Sequence, residues 1–238
     1  MLILGLDTSS PAGSLAVLRD EKVIGEVSTW TQEAYSSRIF RHLDFLLREL
    51  SVRLEDFDLF AVAAGPGSFT GLRVGLAAAK GWGEAYGKSI AAVSALEAIA
   101  DQSHSPSRVL APVLDARRGE VYFGYYRRIL TGGGSELALD GQECSMTPDE
   151  FLNSVSDRMR NEELAIVTPT PEVLSGVSSR IEKHSPSIER VSSVLAPIIG
   201  RIGFRQAQRG KTFDSLTLDA NYVRRSDAEV HWKETLGS

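Results

Sequence analysis

A chain of 238 residues with 42% hydrophobic and 24% charged residues can form one large domain or two lobes, and this ordinary globular composition excludes a mainly disordered protein. The formal net charge of −5 argues against a free-standing nucleic-acid binder, which needs clustered Lys and Arg for phosphate contacts. A single cysteine, Cys144, excludes an internal disulfide and fits a reducing compartment.

The apolar opening carries no positive n-region and meets Asp7 after six residues, so Leu2 to Leu6 reads as a buried strand and not as a signal peptide. The turn-rich Ser9-Ser-Pro-Ala-Gly13 leads into a second strand, Leu15 to Leu18, and Arg19-Asp-Glu21 turns into a third, Lys22 to Ser28. From Ser36 the apolar period lengthens, and Ile39, Leu43, Leu46 and Leu50, flanked by Phe40 and Leu47, mark one face of a helix. Leu59 to Ala64 is a buried strand ending at Gly65-Pro-Gly67. Thr70 is placed to cap a helix that runs to Tyr86 and is closed by Gly87, and Ile90 to Val93 returns as a strand. Three meandering strands followed by helix, strand, helix, strand is an α/β order. No apolar run approaches the roughly 18 residues that span a bilayer, so a cytoplasmic protein without membrane contact is expected.

Polar Asp101 to Ser107 reads as a seam, dividing lobes at 1–104 and 105–238. After it the opening repeats in outline: Val109 to Asp115 is an apolar strand ending in Leu-Asp, Ala116-Arg-Arg-Gly119 is a turn, and Val121 to Tyr126 alternates as a strand. Asp7 and Asp115 thus occupy equivalent settings, and a duplicated lobe is the economical explanation. Thr131-Gly-Gly-Gly-Ser135 is expected to be a mobile loop, Thr147-Pro-Asp-Glu150 is a capping box, Leu164 to Val167 suits a strand, and Pro197 to Arg209, stopped by Gly210, suits a helix.

The segment Gly65-Pro-Gly-Ser-Phe-Thr-Gly-Leu-Arg73 stands between a strand and a helix N-terminus, where exposed backbone N–H groups suit an anion. The competing reading is a tight corner whose glycines, with Gly75 and Gly81, let backbones approach closely. It is neither a Walker loop nor a dinucleotide fingerprint. Asp7 and Asp115 suit either a cleft metal or water, or simple turn-capping. His42, His104, His184 and His231 lack metal-ligand spacing, no Gly-x-Ser-x-Gly elbow is present, and Cys144 has no nearby base to activate it. Arg117-Arg118 and Arg224-Arg225 read as solvated pairs or as part of a nucleic-acid-facing rim.

Together Ile3-Leu-Gly-Leu-Asp-Thr-Ser9, Gly65-Pro-Gly-Ser-Phe-Thr-Gly-Leu-Arg-Val-Gly75 with Ala79-Lys-Gly81, Val93-Ser-Ala-Leu-Glu97 and Leu114-Asp-Ala-Arg-Arg-Gly-Glu-Val-Tyr122 resemble the TsaB (YeaZ) family; Asn221-Tyr-Val-Arg224 is a weaker match. The resemblance implies a duplicated, two-lobed actin/Hsp70-like (RNase H-like) α/β fold. It also implies a non-catalytic subunit that pairs with a TsaD-type catalytic subunit, beside a TsaE-type ATPase and tRNA, in making N6-threonylcarbamoyladenosine. In the catalytic relatives a similar helix carries two metal-binding histidines, where this chain has Ala95 and Ile99, so no metal and no intrinsic cofactor are expected, with ATP or ADP at most at the complex interface. The implied partner surface comprises Ile39, Phe40, Leu43, Leu46, Leu47, Leu50, Leu72, Gly75, Ala79 and Trp82, which also suits a homodimer when the chain is alone. On that assignment Leu43→Glu or Gly75→Trp is expected to abolish pairing while the chain still folds. Residues facing an anion or nucleotide would be Asp7, Thr8, Ser9, Gly65, Gly67, Ser68, Thr70 and Arg73. A small-molecule kinase of the same fold and a metallopeptidase are the alternatives; they predict ATP turnover and bound metal, respectively.

Overall fold

A computed structural model describes residues 1–10, 12–30, 35–131, 134–175, 186–218 and 223. The first three strands, β1 (Leu2–Asp7), β2 (Ser14–Arg19) and β3 (Lys22–Ser28), form the expected antiparallel meander. Helix α1 (Tyr35–Leu50) then crosses to β4 (Leu59–Gly65), and α2 (Phe69–Tyr86) crosses to β5 (Ser89–Ser94). Helical crossovers return the chain in the same direction, so β4 is parallel to β1 and β5 to β4, giving the order β3-β2-β1-β4-β5. Alternation along each strand sorts its side chains between two layers. Leu4, Leu6, Val17, Phe60 and Val62 lie in one cluster with Ile39, Leu43, Leu46, Leu76 and Trp82 of α1 and α2, while Ile3, Leu18, Ala61 and Val93 face the other way. Burial on both faces explains why these strands read as continuous apolar runs.

A short helix, α3 (Ala95–Ala100), precedes the second half. There β6 (Val109–Arg117), β7 (Glu120–Phe123), β8 (Tyr126–Thr131), β9 (Gly134–Leu139) and β10 (Cys144–Met146) are followed by α4 (Pro148–Met159), β11 (Leu164–Thr168), β12 (Ser187–Arg190) and α5 (Ala196–Gln208). The second sheet is ordered β10-β7-β6-β11-β12, with β8 and β9 attached through β6. Its antiparallel β7 and parallel β11 flank β6 as β2 and β4 flank β1, so the two halves share one plan and the β8–β9 hairpin is an insertion. This is the duplicated α/β architecture expected from the sequence.

The structure departs from the sequence expectation at three places. The single strand Val121 to Tyr126 divides at Gly124-Tyr125, because β7 pairs with the far part of β6 and β8 with its start, Val109 and Leu110. Within 131–135, expected to be a loop, Thr131, Gly134 and Ser135 belong to the β8–β9 ladder, while 132 and 133 lie outside the described residues. Finally, α5 lies against the first sheet, so the division at residue 104 fails for 196–208. The approach is close enough that a Cβ on Gly5 would fall 2.3 Å from the Ala196 carbonyl, and one on Gly200 2.3 Å from Leu18 Cδ1. Ile199 and Ile202, fully buried there, each contribute about 1.5–3 kcal/mol. The capping box holds as read: the Thr147 hydroxyl accepts from the Glu150 N–H at 3.3 Å, and the Glu150 carboxylate accepts from the Thr147 N–H at 3.0 Å.

Candidate functional site

The Gly-rich corner between β4 and α2 meets the turn after β1, bringing together the residues expected to face an anion. Gly65 has φ of +124°, a conformation that favours glycine. Asp7 is fully buried: its Oδ1 accepts from the Ser9 N–H at 2.7 Å and the Ser9 hydroxyl at 2.6 Å, and its Oδ2 from the Ser10 hydroxyl at 2.9 Å. Burial pushes its pKa up, against the opposing pull of these hydrogen bonds. Asp7 therefore serves its own turn.

The helix N-terminus is occupied in the same way. The Ser68 N–H donates to the Ser9 carbonyl at 2.8 Å, the Thr8 hydroxyl donates to the Gly71 carbonyl at 2.7 Å, and the Ser68 hydroxyl accepts from the Gly71 N–H at 3.3 Å. A Cβ on Gly71 would fall 1.9 Å from the Thr8 carbonyl oxygen, one on Gly75 2.4 Å from Thr8 Oγ1, and one on Gly67 2.7 Å from Ser9 Cβ. The close-packing reading of this segment is realised: Thr8 and Ser9 stand against Gly67, Gly71 and Gly75 where side chains would otherwise be. Ser68, one residue before α2, is the cap expected of Thr70, which lies exposed in the first turn; Arg73, also exposed, stacks over the Phe69 ring at 3.9 Å. Among the described residues none beyond its own stretch of helix lies within 4 Å of a Cβ placed on Gly81.

The second aspartate does not share this setting. Asp115 is exposed and accepts from the Arg117 N–H at 2.6 Å, a turn cap at the surface. Arg117 and Arg118, at φ of +60° and +55°, form that turn; Arg224-Arg225, His184, His231 and all of Asn221-Tyr-Val-Arg224 except Val223 lie outside the described residues. Among the described residues no three His, Cys, Asp or Glu side chains converge in a metal-binding group, and no helix is long and apolar enough to cross a membrane. Ala95 and Ile99 of α3 are fully buried between the two sheets, among aliphatic side chains such as Leu110, Ala165 and Ile199.

The surface expected from α1 and α2 is redrawn. Ile39, Leu43, Leu46, Leu72, Gly75, Ala79 and Trp82 are buried, and Leu47 and Leu50 are half-buried against the same cluster. Their periodic stripe is the face that covers the chain's own sheet, because an amphipathic helix satisfies its core first. On α1, Phe40 and Phe45, 60% and 53% exposed, face outward on different flanks of the helix, and on α2 Arg73, Ala77 and Gly81 are exposed. Exposed aromatic rings on α1 and the small Ala77 and Gly81 on α2 are features against which another helix can pack.

A polar cluster between the sheets had no signal in the sequence. The Tyr126 and Ser94 hydroxyls both donate to the Glu143 carboxylate, and the Ser94 hydroxyl also accepts from the Leu96 and Glu97 N–H groups at 3.1 and 3.3 Å. Glu97 has its pKa pushed up to about 7, first by burial and then by the Asp101 carboxylate, with Arg205 opposing. Cys144 is half-buried and burial raises its thiol pKa, which leaves it poorly suited as a nucleophile.

The family model of TsaD, tRNA N6-adenosine threonylcarbamoyltransferase, matches residues 21–179. The chain belongs to this family. Within it the relation is to the TsaB (YeaZ) proteins: the Bacillus subtilis tRNA threonylcarbamoyladenosine biosynthesis protein TsaB is 37% identical over 127 residues, 53% of this chain and 56% of that one. The Escherichia coli protein of the same name is 34% identical over 131 residues, 54% and 56% of the two chains. The match thus spans little more than half the length of these curated relatives. YeaZ from Pseudomonas aeruginosa shares the fold, with a TM-score of 0.74 and 24% identity over 93% of this chain and 99% of that one. The TsaD match begins at residue 21, so it takes in α1, the Gly-rich corner, α3 and most of the second sheet.

Proposed function

We propose that this chain is the non-catalytic partner subunit of a tRNA threonylcarbamoyladenosine-forming complex, docking on a TsaD-type catalytic subunit through the outer faces of α1 and α2. Family membership and the names of the TsaB relatives support the pathway. The observation that carries the non-catalytic role is the packing of α3. Ala95 and Ile99 stand where the resemblance places two metal-binding histidines, and neither can ligate a metal. Asp7, buried and hydrogen-bonded within its own turn, is engaged in holding that turn. Phe40 and Phe45 supply the aromatic anchors that interface cores favour, and Ala77 and Gly81 allow backbone approach. A TsaE-type ATPase, ATP or ADP at the interface, and tRNA held by the assembled complex, with its adenosine at position 37 of ANN-decoding tRNAs as target, complete the reading. The net charge of −5 fits tRNA binding shared with other subunits.

The test is co-purification with the TsaD-type subunit and reconstitution of tRNA modification. A Phe40→Asp/Phe45→Asp double variant, altering exposed side chains only, is expected to remain folded, lose the complex and abolish modification. An intact complex with a folded double variant rejects the docking surface, and modification by this chain unaided rejects the non-catalytic role.

A further inference from the structure

Beyond Gln208 the chain leaves the inner face of the first sheet and travels to its outer face. Gly210, at φ of +66°, reverses the backbone, and the Lys211 N–H donates to the Gln206 carbonyl at 2.9 Å. Phe213 then forms an antiparallel bridge with Ile90 on the open edge of β5, its N–H donating at 2.8 Å and its carbonyl accepting at 2.9 Å. Asp214 Oδ1 accepts from the Leu216 and Thr217 N–H groups at 3.0 and 2.8 Å and from the Thr217 hydroxyl at 2.7 Å, folding the next turn. The Ser215 hydroxyl donates to the Glu84 carboxylate in the last turn of α2. Leu218, only 2% exposed, joins the cluster that holds α1 and α2 to the sheet.

These contacts are otherwise unconnected with the proposed docking face, yet three of them end on its foundations. We propose that residues 211–218 are a strap that positions α2: it seals the β5 edge through Phe213, holds the last turn of α2 through Ser215, and pins the outer cluster through Leu218. The strap sets the geometry of the partner-facing helix pair without touching the partner. An open strand edge is a site of unwanted pairing, so the Phe213 bridge also guards the first sheet. Small segments of this kind open locally at far lower cost than global unfolding, which makes the strap releasable.

This inference rests on the docking face proposed above, and the experiment separates the two. Leu218→Ala and, independently, Phe213→Pro, which removes the N–H given to Ile90, are compared with the unmodified chain by amide hydrogen exchange and by titration with the TsaD-type subunit. In both variants exchange is expected to rise in 80–94 and not in α4 or β11, with about tenfold weaker association, equivalent to about 1.4 kcal/mol. Unchanged exchange in 80–94 overturns the strap. Raised exchange with undiminished affinity overturns its positioning role. Failure of the unmodified chain to bind the subunit rejects the docking face while the exchange comparison still decides whether the strap holds α2.

Discussion

Glu97 offers a sharp test of the layer between the two sheets. Its carboxyl is carried on α3, with the Asp101 and Glu143 carboxylates raising its pKa and Arg205 and Arg209 lowering it, and burial is the dominant influence. A carboxyl whose folded pKa lies above its unfolded value favours the native state only while it is protonated. That contribution is complete below the unfolded value of 4.5 and is lost as pH rises through about 7. At about 1.36 kcal/mol per unit the difference sets a ceiling of about 3 kcal/mol on the neutral-pH penalty. Glu97→Gln removes the ionisation while keeping the shape. Urea unfolding at pH 5 and pH 8 is therefore expected to show the variant stabilised by about 1–3 kcal/mol at pH 8 and by less than about 1 kcal/mol at pH 5. The same increment at both pH values would refute the electrostatic account, because loss or gain of packing does not titrate.

Two further outcomes follow from the corner and the helix faces. Ser68→Ala is expected to cost about 1 kcal/mol of stability in thermal or urea unfolding and Thr70→Ala less than about 0.5, since Ser68 alone accepts from the helix N–H. Leu43→Glu is expected to destabilise the isolated chain by at least about 3 kcal/mol, read by circular dichroism and solubility, because it places a charge inside the α1–α2 cluster. This replaces the expectation that the variant folds and loses only its partner. Gly75→Trp fails for a related reason: Thr8 Oγ1 already stands where a Cβ would go.

Much of this fold was legible because its central strands are buried on both sides and its helices change the apolar period sharply. The meander, α1, α2 and the Thr147 capping box follow from such patterns. Strands β9, β10 and β12 did not, since they are short, partly exposed edge or insertion strands whose residues carry little apolar signal. At the corner, composition alone left packing and anion binding open, because glycine permits both; the position of the Thr8 carbonyl shows why Gly71 must be a glycine. The helix surface shows a different limit. An apolar stripe says that a face is covered but not by what, and in α1 the cover is the chain's own sheet; of the residues expected on its partner surface Phe40 alone faces outward, and Phe45, outside the stripe, does so too. The Glu97 cluster joins residues far apart in sequence, so no local spacing could announce it.

The crosswise placement of the last helices has a mechanical consequence. The first half contributes α3 to the layer against β6, and the second half contributes α5 to the face of β1, β2 and β4. Neither half retains a finished interior when cut at 101–107, so separate fragments should be unstable singly and recover structure when mixed. The duplicated halves act as two hands clasped at the fingers, and thermal melting of the intact chain should proceed as one event, without a step for each half.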